Sequence, residues 1–404
     1  MRTDDNVNTG RQDLPRVLHC FGSMDLGGAE TFAMHIYRSI DRNRIQFDFA
    51  VSAEKSCYYD DEIQDLGGRI IRHTAPSKAG FRGYGKELRA ILRRFGPFCA
   101  VHSHLHSFSG YVLGIAAHEG VPVRIAHMHS TRDGRSGTLS GFAYHAVMRC
   151  LIRRFATHVF GCSRAVLAAA FGERWPAESR MSVLHNGIDF APYALLRGGQ
   201  AELRRRLSLP TTGSILGHIG NFTAAKNHAF LIEVFRQYRA RDPGATLILV
   251  GDGTLRPQLE RQIEACSLNS HVRLLGRRSQ SDIPDILAAF DALVMPSLHE
   301  GLPVSLIEAQ AAGVPCVVSS AITDEADLGL GLIQFVGLAD GCEPWANAIG
   351  TALTTNRPNW AASCEALTSQ GYDIRDTATV LTRIYQSRAN PEPVRPDAAA
   401  LLVG

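Results

Sequence analysis

The stretch MPSLHEGLPVSLIEAQAAGVPCVVS, residues 295–319, decides how the chain is read. An apolar strand-sized run (292–295) leads into it, a short loop follows, and a helical pattern runs over 302–312. After Gly313 a second apolar run occupies 315–319. Strand, helix and strand in immediate succession form the repeating unit of a parallel sheet covered by crossover helices. Glu300 and Glu308 stand eight residues apart across the loop–helix boundary. Eight residues is a little over two helical turns, so both side chains can border one crevice at the sheet's carboxyl edge. Between them Gly301, Leu302, Pro303 and Val304 lie at the expected helix start, where backbone amides favour phosphate. Such a segment suits a sugar hydroxyl at Glu300, a diphosphate at the amides and a ribose at Glu308. The plainer alternative is a surface helix with two solvated glutamates.

The same alternation extends outward. In the first half, strands are expected at 16–21, 47–51, 69–73, 100–103 and 123–127, with helices at 28–40, 60–66, 85–95 and 109–118. Residues 190–213, with Gly, Pro and a charge run, look like a linker. The rhythm then restarts, with strands at 214–219, 246–250, 272–275, 292–295 and 315–319. Helices are expected at 228–240, 255–266, 283–290 and 302–312. The expected fold class is therefore α/β, two Rossmann-like units in series.

Other motifs fall on the same kind of loop. HIGNFTAAKNH (218–228) follows a strand, and its Lys226 is placed to neutralise a diphosphate leaving group. LVGDG (249–253) ends a strand in a Gly-Asp-Gly turn, and Gly251 permits close backbone approach to a ligand or simply makes a turn. FGSMDLGGAETF (21–32) joins the first strand to the first helix. It is not G-x-G-x-x-G, but Gly27 and Gly28 can close over a ligand at a helix start. VHSHLH (101–106) and AHMHST (126–131) place alternating histidines at strand ends, and no Cys or carboxylate accompanies them at metal-ligand spacing. They are read as polar contacts lining a cleft, and no metal is expected. Arg82, Lys86, Arg89 and Arg93 recur at helical spacing opposite Leu88, Ile91, Leu92 and Phe95. This basic amphipathic helix suits an anionic membrane surface, or is a solvated face over an ordinary core stripe.

Bulk properties narrow the classes. At 404 residues two domains are expected, and 45% hydrophobic with 20% charged residues fits a soluble globular chain. No apolar run approaches a membrane span, and the polar residues 1–15 lack the apolar region of a secretory signal. A cytoplasmic setting is expected. Nine cysteines without a C-x-x-C pair argue against a zinc ribbon and a disulfide framework. Residues 1–200 hold 25 basic against 18 acidic residues, and 201–404 hold 17 against 21. The basic first half fits an anionic partner. Nucleic acid is disfavoured, because no exposed aromatics interleave the basic residues.

Together, GGAETF, RIAHMHS, VLHNGID (183–189), GNFTAAKNH, VGDG and the E-x7-E segment ending in EAQAAGVPCV resemble glycosyltransferase family 4. The resemblance to this family of GT-B fold runs from about residue 16 to 385 and is nearest its capsular- and exopolysaccharide-synthesis branch. It implies two Rossmann-like domains facing a cleft. An acceptor-binding domain would span 16–200, a nucleotide-sugar-binding domain 201–371, and a helix at 372–388 would cross back to the first. Flexible ends at 1–15 and 389–404 complete the expected organisation. The family's residues carry over to Glu300 at the donor sugar, Glu308 at the ribose, Lys226 at the diphosphate and His129 near the reacting sugar. Gly27 and Gly28 would lie beneath the donor phosphates. The resemblance further implies a metal-independent, configuration-retaining hexosyl transfer without cofactor, from a nucleotide-sugar, UDP being the commonest carrier in the family and GDP also possible. The acceptor would be a lipid-linked saccharide at the inner face of the cytoplasmic membrane, and the cleft would close on the donor.

One position departs from the family. Where an Arg commonly stands five residues before the Lys, this chain has Asn221. Lys226 then carries the charge alone, Arg277 or Arg278 assists it, or activity is reduced. Two further readings of the fold stay open at this point: a nucleotide-sugar epimerase or hydrolase, and a catalytically weak nucleotide-binding relative.

Overall fold

The structure, a computed structural model, describes residues 14–131, 139–194 and 199–387. The expected flexible ends therefore lie outside the described residues, apart from positions 14 and 15. The chain forms two compact units. One gathers 14–161, 167–184 and the segment from 375 onward, the other 162–166 and 185–374. The division at 184/185 precedes the expected one at 200/201. Contacts of the 185–194 segment explain why: Ile188 pairs with residues 372–374 and Tyr193 is hydrogen-bonded to Glu308, all in the second unit.

The first unit is built on a seven-stranded parallel sheet of β1 (Arg16–Phe21), β2 (Gln46–Val51), β3 (Arg69–Arg72), β4 (Ala100–Ser103), β5 (Val123–Met128), β6 (His158–Gly161) and β7 (Met181–Val183). Its order is β3-β2-β1-β4-β5-β6-β7. The second unit has a six-stranded parallel sheet of β8 (Ile215–Ile219), β9 (Thr246–Val250), β10 (Val272–Gly276), β11 (Ala292–Met295), β12 (Cys316–Ser319) and β13 (Ile333–Val336), ordered β10-β9-β8-β11-β12-β13. Both are doubly wound. The chain steps outward from β1 or β8, then returns to the other side of that strand. Connections leaving the carboxyl ends of β1 and β4, and of β8 and β11, therefore diverge, and a crevice opens between each pair.

Covering helices explain the burial. β2, β9, β11 and β12 are buried along their whole length, as parallel strands with both faces covered must be. In the second unit Leu216, Leu247, Val294 and Val317 pack with Ile232, Phe235 and Trp345. Gly217 in β8 has no substitute, because a Cβ there would lie 1.9 Å from the Phe290 ring.

The basic helix is longer than expected and spans Pro76–Phe95. Proline suits its first turn, and Gly80 at φ +65° breaks it, which hides the first turn from a periodicity reading. At the chain's end the helix Ile374–Gln386 brings Tyr385 into the first unit. Its hydroxyl lies 2.6 Å from His102 Nδ1 and its ring packs edge-on against Phe47. Just before that helix, Ile188 N–H donates to the Tyr372 carbonyl at 2.9 Å and Ile374 N–H to the Ile188 carbonyl at 3.2 Å, tying the 185–189 segment to residues 372–374.

Candidate active site

In the second unit the reversal of strand order lies between β8 and β11, and the two strongest candidates leave the carboxyl ends of these strands. Lys226 Nζ donates to Glu300 Oε1 at 2.6 Å. Backbone pairing sets the contact: Leu298 N–H donates to the Ala225 carbonyl at 2.8 Å, so the loop after β11 is laid on the loop after β8. Asn227, left-handed at φ +54°, turns the chain from the Lys226 turn into the helix His228–Arg239. The lysine stem rests on Gly220, whose hypothetical Cβ would sit 3.1 Å from Cε. The two side chains are only 18% and 14% exposed, so the pair is shielded yet reachable.

Polar atoms without protein partners surround it. His218 Nε2, both ring nitrogens of His228 and Ser297 Oγ are buried and make no hydrogen bond. Burial pushes His218 down to about 4 and His228 to about 2, so both rings are neutral at pH 7. His218 Nδ1 lies 2.8 Å from the Val294 carbonyl, which only accepts. Its proton is therefore on Nδ1, and Nε2 offers a lone pair beside Gly220 and Lys226. Buried groups of this kind are satisfied by water or by ligand oxygens and hydroxyls.

Glu308 is 4% exposed. It accepts from Gln280 Nε2 at 2.5 Å and is hydrogen-bonded to Tyr193, and burial raises its pKa to about 7. With both glutamates shielded, the solvated-surface alternative does not hold. The helix start also differs from expectation. The helix is Val304–Ala311, with Pro303 as its cap residue in extended conformation. Leu302 precedes a proline, which disfavours helix, and Pro303 has no N–H. Of the four residues expected to supply helix-start amides, only Val304 is helical. Gly301 and Leu302 lie in the loop, where the Gly301 carbonyl accepts from Ser163 Oγ at 3.2 Å. Ser305 Oγ donates to the Ile219 carbonyl at 3.3 Å and pins the helix start to the end of β8.

The glycines of VGDG serve a different neighbour from the one first considered. At Gly251 (φ +140°) a Cβ would lie 2.1 Å from the Gly220 carbonyl oxygen, and at Gly253 2.5 Å from that of Phe222. The two loops interlace: Gly220 N–H donates to Val250 O and Phe222 N–H to Asp252 O, each at 2.9 Å. Gly251 thus supports the loop that carries Asn221 and Lys226. Gly251→Ala is expected to lower the melting temperature by several degrees, from a backbone strain of about 1–3 kcal/mol plus the clash. A thermal melt within a degree of the parent would rule this support out. Arg277 and Arg278 are exposed just past β10, two strands from β8.

In the first unit the strand order reverses between β1 and β4. Gly27 is extended at the start of the helix Gly28–Ser39, and a Cβ on it would lie 2.2 Å from Glu30 Oε2. The Glu30 carboxyl therefore folds back over the helix start, the place read as a phosphate seat. Burial raises its pKa to about 7. His129, just past β5, has Nε2 2.8 Å from His104 Nδ1. His104 Nε2 lies 3.2 Å from His19 Nδ1, and His102 Nε2 lies 3.3 Å from His127 Nδ1. His19 went unnoticed in the sequence because it sits inside an apolar strand; in register it is the partner of His102. Two groups, His19–His102–His104 and His104–His127–His129, bring ligand atoms within 4.8 Å of one another. Three imidazoles can by themselves ligate a divalent cation, and here their nitrogens also lie within hydrogen-bonding distance of one another.

Arg82, Lys86, Arg89 and Arg93 are all exposed, while Leu88, Ile91 and Leu92 are buried in the core. Arg93 donates to both Glu119 oxygens at 2.7 and 2.9 Å, and Arg89 lies 3.9 Å from the same carboxylate. The apolar side is thus committed to the fold. Among the described residues no helix is long and apolar enough to cross a membrane.

Two Rossmann-like parallel sheets, the second with a shielded Lys–Glu pair at its strand-order reversal, are an arrangement that the comparisons match. The profile for a glycosyl transferase 4-like domain matches residues 27–187, and that for glycosyl transferases group 1 matches 199–325. The chain is 35% identical over 372 residues to a putative glycosyltransferase EpsF of Bacillus subtilis, covering 92% of this chain and 96% of that protein. It is 28% identical over 227 residues to an Escherichia coli UDP-Gal:alpha-D-GlcNAc-diphosphoundecaprenol alpha-1,3-galactosyltransferase, covering 48% of this chain and 57% of that one. Among solved structures, Anabaena HepE in complex with UDP and glucose matches with a TM-score of 0.74 at 21% identity, over 92% of this chain and 99% of that one. The chain belongs to the family 4 glycosyltransferases, of GT-B fold. It is a glycosyltransferase.

Proposed function

We propose that the protein transfers a hexose, with retention of configuration and without a metal, from a UDP-sugar to a lipid-linked saccharide in exopolysaccharide or capsule synthesis. The observation that carries this is the Lys226–Glu300 pair at the β8/β11 reversal, ringed by buried polar atoms that lack protein partners. In this reading Lys226 meets the donor diphosphate with Asn221 and the backbone of Gly301, Leu302 and Val304. Glu300 holds the sugar and Glu308 the ribose. His129, Gly27 and Gly28 are assigned from the first unit to the reacting sugar and the phosphates. A ribose would share Glu308 with Tyr193 and Gln280 or displace them, and a phosphate approaching Gly27 meets the Glu30 carboxyl folded over it. The HepE complexes with UDP and with UDP-glucose support the nucleotide, and the E. coli relative supports a diphospholipid acceptor. Exposed Arg82 and Lys86 support peripheral binding at the inner membrane face, by charge rather than by apolar insertion.

A thermal-shift screen against UDP, GDP and their sugar conjugates tests the donor site. A nucleotide at 100 times its Kd stabilises by ~2.7 kcal/mol, and UDP is expected to raise the melting temperature more than GDP. A flat response to every nucleotide would count against the donor site as a whole.

A further inference from the structure

We infer that His104 is a positioning residue that fixes which ring nitrogen of His129 carries the proton, through an imidazole chain ending on His19. The inference rests on the proposed role of His129 at the reacting sugar. A neutral imidazole has one N–H and one lone pair, so His104 can donate on one side only and must accept on the other. Its Nδ1 faces His129 Nε2 at 2.8 Å and its Nε2 faces His19 Nδ1 at 3.2 Å. Only two patterns satisfy both bonds: protons on His19 Nδ1 and His104 Nδ1, or on His104 Nε2 and His129 Nε2. The tautomer of His129 is thereby tied to that of a residue two strands away.

The surroundings make this chain selective. His19 and His104 are 2% and 6% exposed, and burial drives His19 to about 3 and His104 well below the usual histidine range, so neither link becomes a double donor near neutral pH. The His104 ring is clamped by stacking on Phe21 at 4.1 Å and His102 at 4.3 Å, and cannot flip without breaking both bonds. At the far end His19 Nε2 is buried without a partner. The two patterns place the His129 proton on Nδ1 or on Nε2, and the three rings change tautomer together. The chain accounts for three imidazoles, His19, His104 and His129, where apolar side chains would fill the space more cheaply.

Nitrogen NMR of the full chain labelled with 15N-histidine reads the tautomer directly, with His129 assigned by its loss in His129→Gln. The parent is expected to show His129 in one tautomer. His104→Phe keeps a clamped ring without hydrogen bonds. It is expected to release His129 into a tautomer mixture and to lower kcat about 10–100-fold, with the donor KM within about threefold. His104→Asn, whose amide reaches His129 from the place of Nδ1 but not His19, can present either its oxygen or its nitrogen and is expected to leave the tautomer mixed. Unchanged His129 nitrogen shifts in His104→Phe, or a single His129 tautomer kept in His104→Asn, would overturn the inference. Should His104→Phe fail to fold, His19→Phe tests the chain from its other end with the same expected shift. If His129→Gln leaves sugar transfer unaltered while His104→Phe still changes the tautomer, the role given to His129 fails and the chain stands.

Discussion

Lys226→Ala is expected to reduce the rate of sugar transfer by about 10³-fold while weakening nucleotide binding only about tenfold. The difference reflects when charge appears. A bound nucleotide-sugar already carries its diphosphate, but additional negative charge develops on the leaving oxygen as the glycosidic bond breaks. A fixed cation acts more strongly on that developing charge, and loss of one such group costs on the order of 10²–10³ in rate. Two features place this chain at the upper end. The position that commonly holds a second cation on this loop is Asn221, so Lys226 is the sole Lys or Arg between 218 and 228. The ammonium is also largely shielded, at 18% side-chain exposure, where its field is less screened by water. Lys226→Arg should recover little, because the stem is seated on Gly220 and a longer, planar group cannot fill the same point. Initial-rate kinetics with the sugar donor of the best-stabilising nucleotide decide the matter. A Lys226→Ala rate within fivefold of the parent would remove this residue from the transfer step.

Much of this arrangement was legible before the structure. β1, β4, β9 and β11 coincide residue for residue with the apolar runs read from sequence, since each is a short buried strand closed by a loop. β7 and β13 had no such signal: they are three and four residues long and only partly buried. Lys226 and Glu300 were each visible as motif residues, but their meeting across 74 positions depends on strand order, which no local pattern encodes. Tyr193 and Gln280 on Glu308 and His19 beside His104 were missed for the same reason, each being a contact made by tertiary folding; Glu30 against Gly27 is a local contact over three residues that the motif reading passed over. The helix-start reading failed more locally, because the Leu302–Pro303 pair delays the helix to Val304. Gly251 was read as permitting close approach to a ligand or as a plain turn, and the structure shows the neighbouring loop against it.

The burial that shapes both candidate sites also predicts a steep loss of stability in mild acid. Burial holds His19 at about 3, His158 and His218 at about 4 and His228 at about 2, and holds His102, His104 and His127 well below the usual value. Unfolding frees each ring to titrate near 6.5, so the unfolded chain binds more protons than the folded one as soon as pH drops below that value. Stability is therefore intact above about pH 6.5 and falls through the window toward 4. Each imidazole accounts for about 1 kcal/mol by pH 5.5, against a total of ~5–15 kcal/mol for a typical domain. Glu30 and Glu308 oppose this, because their folded pKa values of about 7 lie above the unfolded value and protonation favours the fold as pH falls. Their distribution is unequal. His19, His102, His104, His127 and His158 lie in the first unit with Glu30, whereas His218 and His228 lie in the second with Glu308. The first unit should thus fail at higher pH than the second. Hydrogen exchange at pH 7.5, 6.5 and 5.5 would show it, with β1, β4 and β5 losing protection before β8, β9 and β11. Equal protection of the two sets at pH 5.5, or a melting temperature unchanged from pH 7.5, would mean that these histidines are not held neutral by the fold.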